Sequence, residues 1–461
     1  MVQSSRMLRR FVPDLPFALL AIWLVVLWIA GGSSRGDVPG QLVTRTAAWV
    51  LLIVAILFAR RPAWGSARPV VWLVGAAVLL AAVQLVALPP DLWTALPGRS
   101  LLADAAPVSG QDQPWRPLSI SPGATRNALG SLIVPVVTLV LALALRSADH
   151  WRTAGLLLGL VVASAVLGLL QATGASLNHP LVNDVPGMVS ASFANRNHFA
   201  LFCAIGCVLA PAWALGAERQ PRWRAPVGFG LIVVLGLIIL ATGSRAGLIL
   251  GAAGIVLGLL SVRSRVRAEL TRLPRLARIA LVTAAAGFAV TVVVVSVALD
   301  RASSVDRALS LQTADDLRRQ ALPVVIAMIG KYFPAGAGIG TFDAAYRIDE
   351  PFALLNPRYF NHAHNDLLEV VLESGLAGLL LLGAAIAWWL WRSVAAWRAD
   401  GRPGAVLARS GSAIALLVLL ASAADYPART PMIMAVLVLA AVWLCDPRSR
   451  SAQAPQMTPH G

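Results

Sequence analysis

The chain has 461 residues, 58% of them hydrophobic and 13% charged, with 38 basic against 22 acidic side chains and a formal net charge of +16. Apolar runs of ~17–25 residues recur along it, the length that crosses a bilayer core, so a soluble globular domain is excluded; the runs are continuous rather than alternating, which excludes an outer-membrane barrel. The positive charge is almost all arginine, Lys331 being the only lysine, and it sits in short loops between apolar runs, where it marks topology rather than a nucleic-acid surface.

Hydropathy predicts an all-α polytopic membrane protein, one transmembrane domain over residues 1–461 with about 12 helices. They are expected near 14–30, 46–59, 69–88, 127–145, 153–171, 197–216, 226–242, 246–261, 279–299, 366–391, 411–424 and 430–445. The basic N-terminal stretch followed by an apolar run resembles a signal peptide, but no small-residue cleavage site follows, so the run reads as a first helix. Cys203 and Cys207 lie one turn apart in an apolar run and Cys445 ends another, the pattern of small apolar side chains rather than a disulfide framework.

Alternate loops carry Arg60, Arg61 and Arg68; Arg146 and Arg152; Arg219, Arg222 and Arg224; six arginines between 263 and 278; and Arg392, Arg398, Arg402 and Arg409. The run 226–261 is interrupted only by TGSRAG (242–247). Taken as a hairpin rather than one long helix, it puts every basic loop on the cytoplasmic side, with both termini, by the positive-inside bias. Two long segments then face the periplasm. Residues 89–126 are rich in proline and read as an ordered, irregular loop. Residues 300–365 form a large loop before the helix starting near 366; within it, DDLRRQALPVVIAMIGKYF is amphipathic and suits an interfacial helix. The tail 447–461 reads as a disordered cytoplasmic segment.

Four polar features share the periplasmic boundary: Arg196 in SFANRNHFA, Arg245 in TGSRAG, Arg318 with Arg319, and His364 in NHAHND. An interfacial arginine commonly just reaches for lipid headgroups. Arg245, however, occupies a tight turn where a long side chain is otherwise dispensable. Arginine's planar fork of donors suits phosphate oxygens, and several together suit a pyrophosphate. A helical face turns only one of Arg318 and Arg319 inward, and Arg318 is preferred. The His364 imidazole titrates near neutrality and can take a proton from a hydroxyl. The competing readings for His364 are a helix cap made with Asn361, His362 and Asn365, or a metal site using His362, Asp366 and Glu369. No second histidine or cysteine cluster lies on that face, which disfavours metal. Glu369 and Glu373, one turn apart at the membrane, call for function or for pairing with arginine. The glycine-rich PAGAGIGTF (334–342) lacks the lysine and hydroxyl residue of a phosphate-binding loop, and GAAGIVLG has the small-residue pattern of packed helices.

The stretch from His364 resembles the signature of the bacterial O-antigen ligase and O-antigen polymerase family: His364, Asn365, nine residues, then Gly375-Leu376-Ala377-Gly378, with Leu379 where the family usually has threonine. NRNHFA, TGSRAG and FPAGAGIGTFDAAYR are similar to further family stretches in the expected order, so the resemblance spans roughly 190–380. It implies a C-type membrane glycosyltransferase fold in the bacterial inner membrane with a periplasmic active site. It also implies an undecaprenyl-pyrophosphate-linked glycan as donor and, as acceptor, lipid A-core for ligases or another lipid-linked repeat unit for polymerases. Neither metal nor nucleotide sugar is needed, and no other cofactor. On this sequence His364 would be the catalytic base. Arg196, Arg245 and Arg318 or Arg319 would hold the pyrophosphate, with Asn365, Glu369 and His362 in support. Partners would be the donor, the glycan or lipid acceptor, membrane lipids, and polysaccharide export or chain-length proteins. The competing classes are a lipid-linked oligosaccharide flippase or transporter, which needs a polar route across both leaflets, and a non-catalytic partner in polysaccharide export.

Overall fold

The computed structural model describes residues 14–175, 179–183, 185–216, 221, 223–272, 314–355, 360–399 and 404–445, with isolated positions between 274 and 287. The helix expected at 279–299, the start of the 300–365 loop and the tail at 447–461 lie outside the described residues or almost wholly so.

The described chain is helical almost throughout. In order come α1 (Leu15–Ala30), α2 (Pro39–Phe58), α3 (Arg68–Val83), α4 (Pro122–Ser131), α5 (Ile133–Leu143), α6 (Ser147–Ala172), α7 (Arg196–Leu215), α8 (Arg224–Ala241), α9 (Arg245–Ser261), α10 (Arg263–Arg272), α11 (Ala314–Tyr332), α12 (Phe342–Asp349), α13 (Asp366–Arg398), α14 (Ala405–Ser422) and α15 (Pro431–Leu444). Among the described residues eight helical stretches are long and apolar enough to cross a bilayer; α9 and α10, bent by 78° where they meet, add a ninth if counted as one span. The protein is therefore an all-α, multi-pass membrane protein. TGSRAG does separate two helices, α8 and α9, which pack on each other and on α7.

Several helix limits differ from the hydropathy reading. Helix α2 starts at Pro39 rather than 46, because proline's fixed φ suits a first helical turn and Thr44 and Arg45 do not interrupt it. The 89–126 segment is more regular than expected. It holds three short helical turns (Pro90–Thr94, Ser100–Ala103, Ala105–Val108), and its β2 (Arg116–Pro117) pairs antiparallel with β1 (Ala87–Leu88) just before it. The fully buried Arg99 pins it, donating to the carbonyls of Pro97, Leu118 and Gly336.

Helix α7 is the axis of the bundle, buried along nearly its whole length between α6, α8, α9 and α14. Glycines on α9 permit that closeness. A Cβ at Gly254 would fall 2.5 Å from the Ala204 carbonyl oxygen, and one at Gly258 2.6 Å from that of Cys207, so the two backbones touch.

Helix α13 is broken at Gly375, whose φ of 57° and ψ of −141° only glycine adopts readily. The break is closed by the glycine-rich segment 334–341. Ala337 N donates to Leu372 O (3.0 Å), Gly338 N to Glu373 O (2.8 Å), and Leu376 N to Pro334 O (2.9 Å). Gln84 at the end of α3 fastens the junction, donating to Glu373 O and accepting from Ile339 N. The glycines of PAGAGIG thus serve backbone packing. The apolar face of α11 (Ala321, Val325, Met328, Tyr332) packs with Phe342 and Tyr346 of α12 and Leu372 of α13.

Candidate functional site

Three helices begin at one end of the bundle, each with a polar residue accepting a backbone N–H of its own first turn: Asn195 for α7, Ser244 for α9 and Asn365 for α13. Their caps are wired together. Ser244 Oγ donates to Asn197 Oδ1 (2.7 Å), and Asn197 Nδ2 donates to Asp425 Oδ2 (2.7 Å), which also accepts from Asn195 Nδ2 (3.0 Å). Asn365 Nδ2 donates to Ala423 O (2.9 Å) in the α14–α15 turn. The loops bearing Arg60, Arg146 and Arg263 lie at the opposite end of the bundle.

Asp425 is the centre of the site. Its Oδ1 accepts from Tyr426 N (3.0 Å) and lies 3.2 Å from His364 Nδ1. His364 has φ 50°, uncommon for a residue with a side chain, and this left-handed kink directly precedes the Asn365 cap. Its ring is held between Phe360 (5.3 Å) and Tyr426 (4.9 Å between centroids). The second oxygen's two amide donors favour an ionised carboxylate, which accepts only, so the shared proton belongs to His364 Nδ1. That tautomer leaves a lone pair on Nε2, which has no hydrogen-bond partner among the described residues.

Burial lowers the His364 pKa below the usual histidine value; the Asp425 bond and charge oppose this, while Arg318 and His362 reinforce it. Burial alone would raise the Asp425 carboxyl, but its bond to His364 and the nearby His198, His364 and Arg318 hold it below the usual carboxylate range. Tyr426 is pushed up by burial and by Asp425, with Asn361 and Asn195 in hydrogen-bonding reach of its hydroxyl. His198 completes the group. Its Nδ1 is 3.0 Å from Thr430 Oγ1, and its ring meets Tyr426 edge-on at 5.2 Å.

A second network backs the first. His362 Nδ1 lies 2.8 Å from Glu369 Oε1, and Glu369 Oε2 accepts from Ala363 N (2.9 Å). Arg429 reaches three carboxylates: Asp366 (3.3 Å), Glu369 (3.3 Å) and Glu373 (2.9 Å). Burial would lower the Arg429 guanidinium, but these carboxylates hold it above its ordinary value. Glu373 also accepts from Phe342 N (3.2 Å), tying α12 to α13. The His362 ring lies 4.3 Å from that of Tyr426, tilted by 39°, so that tyrosine touches both His362 and His364.

On the His362 side a cavity of about 900 Å³ opens, with Ser34, Arg45, Asn361, His362 and Arg429 around its polar end and an apolar trough between α3, α13 and α15. Among the described residues no three His, Cys, Asp or Glu side chains form a metal-holding group.

The sequence-selected residues thus fall on this end of the bundle with different surroundings. His364 is at the centre. Arg318 is half-buried and acts electrostatically on His364, Asp425 and Tyr426, whereas Arg319 on the same helix is exposed. Arg196 lies over the α8–α9 hairpin, its Nη1 3.7 Å from where a Gly243 Cβ would sit. Arg245 is the first residue of α9, on the turn that Ser244 ties to Asn197. Glu369 and His362 pair with each other, and Asn365 caps α13 and ties it to the α14–α15 turn. Asp425, Tyr426 and Arg429 escaped the sequence reading. Their signal was available: DYPAR is a polar run of the same kind as TGSRAG, set in a turn between two apolar helices.

Residues 230–383, about a third of the chain, match the family described as O-antigen ligase. That span carries Arg245, Arg318, Arg319 and the whole 360–378 stretch, while Arg196, Asp425 and Arg429 fall outside it. No curated protein matches the chain. Lying over the His364 stretch, that family match supports placing this segment with the O-antigen ligase and polymerase family, and supports a ligase- or polymerase-like role in polysaccharide biosynthesis.

Proposed function

We propose that the protein is a metal-independent, inverting membrane glycosyltransferase that moves a glycan from undecaprenyl pyrophosphate to a hydroxyl acceptor at the periplasmic face of the bacterial inner membrane. The observation that carries this reading is the His364 imidazole, donating through Nδ1 to buried Asp425 with Nε2 left unpartnered among the described residues. It is the orientation that lets an imidazole act as base through its other nitrogen.

In this reading His364 Nε2 takes the proton of the acceptor hydroxyl as its oxygen attacks the anomeric carbon. The bond from that carbon to the pyrophosphate oxygen breaks on the opposite side, inverting the centre. The departing pyrophosphate gathers negative charge. Arg196, Arg245 and Arg318 supply guanidinium groups for it, and the starts of α7 and α9 add the positive ends of two helix dipoles. Arg196 and Arg245 are the first residues of their helices, where a cation opposes the dipole. A bound anion would relieve that conflict. Asp425 fixes the tautomer and stabilises the imidazolium that forms, and Glu369 with Arg429 positions the His362 loop. The positive-inside bias supports a periplasmic site, because the arginine-rich loops lie at the other end of the bundle.

The test is direct. Purified protein in detergent, given an undecaprenyl-pyrophosphate-linked glycan and an acceptor, should yield elongated product and free undecaprenyl pyrophosphate, with or without EDTA. Movement of intact donor between leaflets without any product would instead favour a transporter.

A further inference from the structure

The cavity beside His362 has the wrong shape for a sugar alone. Its trough follows both arms of α13, from Asp366 across the break at Gly375 to Trp389, at most ~35 Å at ~1.5 Å per residue, against a bilayer core of ~30 Å. Val74, Leu382, Ile386, Leu437, Ala441 and Leu444 line it, and its volume of about 900 Å³ is at the upper end of small-molecule sites. An occupant matching those walls is a single long apolar chain lying across the membrane.

The polar end contains one unusual charge. Arg45 is the seventh residue of α2, inside an apolar span, where an ionised group is costly and marks function. Its Nη2 donates to Asn127 O (3.1 Å), its Nε has no hydrogen-bond partner, and no carboxylate pairs with it among the described residues. The other cations at this mouth are matched: Arg35 pairs with Asp37, and Arg429 is shared by Asp366, Glu369 and Glu373. Hydroxyl, amide and imidazole groups of Ser34, Asn361 and His362 lie above, suited to sugar hydroxyls.

We propose that this groove binds the acceptor as a lipid-anchored, phosphorylated glycan, its chain in the trough and its phosphate on Arg45; the assignment to the acceptor rests on the glycosyltransferase reading. A departing pyrophosphate calls for several cations, which the Arg196, Arg245 and Arg318 side offers. A phosphate that stays bonded to its lipid needs less, and one unmatched arginine suits it. Tyr426, in contact with the rings of both His362 and His364, then lies where the acceptor's sugar end meets the base.

The test uses full-length protein in nanodiscs and a benzophenone-bearing polyprenyl monophosphate as probe, with the labelled peptides mapped by mass spectrometry. Labelling is expected on α13 and α15 around Leu382 and Leu437. It should survive in His364→Asn protein and resist excess phosphatidylglycerol. Ala385→Trp with Ala441→Trp should cut it at least tenfold, as should Arg45→Gln. In transfer assays the same variants should raise the acceptor KM at least tenfold and leave the donor KM unchanged. Labelling that ignores the tryptophans, or that phosphatidylglycerol abolishes, overturns the groove. A rise in donor KM instead assigns it to the donor and overturns the proposal. Absence of transfer in wild-type protein overturns the functional reading and the acceptor assignment with it, a result distinct from lost labelling.

Discussion

His364 Nδ1 lies 3.2 Å from Asp425 Oδ1 although 61 residues separate the two in the chain. This contact joins the loop before α13 to the α14–α15 turn. Replacing Asp425 by Asn keeps the shape but permits the other tautomer, so transfer should fall on the order of 10³- to 10⁴-fold, measured as kcat in detergent. The pH profile gives a second readout. A base works when neutral, and burial sets the His364 pKa below the ordinary histidine value, so the rate should rise with pH through an inflection below ~6.5. Asp425 raises that pKa, so in Asp425→Asn the inflection should move further to acid. An inflection that moves towards alkali contradicts the assignment.

Arg318→Ala should lower kcat/KM by ~10²–10³-fold, the scale for losing one charge-stabilising donor, while Arg319→Ala stays near wild type. The two are adjacent on α11, but only Arg318 bears on His364 and Asp425. Equal losses in both variants would show that neither faces the pyrophosphate selectively.

Arg429→Ala should destabilise the fold by ~3–5 kcal/mol, because it leaves Asp366, Glu369 and Glu373 buried without their cation. Thermal unfolding in detergent measures it. Adding Glu373→Gln should recover part of the loss by removing one uncompensated charge.

Gly375→Ala should cost at least ~2 kcal/mol and sharply reduce folded yield. The backbone there is left-handed, and a Cβ would fall 2.0 Å from the Pro334 carbonyl oxygen. A normal melting temperature for this variant would mean that the α13 break is not tied to the 334–341 segment as described.

Much of this architecture could be read from the sequence because its strongest signals are local. Apolar runs placed α6 to α9, and the same periodicity found α13 and α15. The polar clusters in NRNH, TGSR and NHAHN stood out because charges are rare beside such runs. What escaped is tertiary. Nothing near His364 announces Asp425, and nothing near Glu369 and Glu373 announces Arg429; each partner comes from DYPAR, a turn whose own neighbours are apolar. Arg45 was hidden differently. Hydropathy began its helix after it, whereas Pro39 starts the helix before it, and the arginine is carried into the membrane-spanning segment. The glycines of 334–341 were legible as unlike a phosphate-binding loop, but their fit into the α13 break depends on Gly375, some 40 residues away.

The central claim is that His364 is the base. Its most direct test is single-turnover transfer by His364→Asn, a substitution that tolerates the left-handed backbone at this position. With donor and acceptor saturating, the account predicts a folded, membrane-embedded protein that binds donor as the wild type does and transfers at least ~10³-fold more slowly. Transfer within a few-fold of wild type would contradict it.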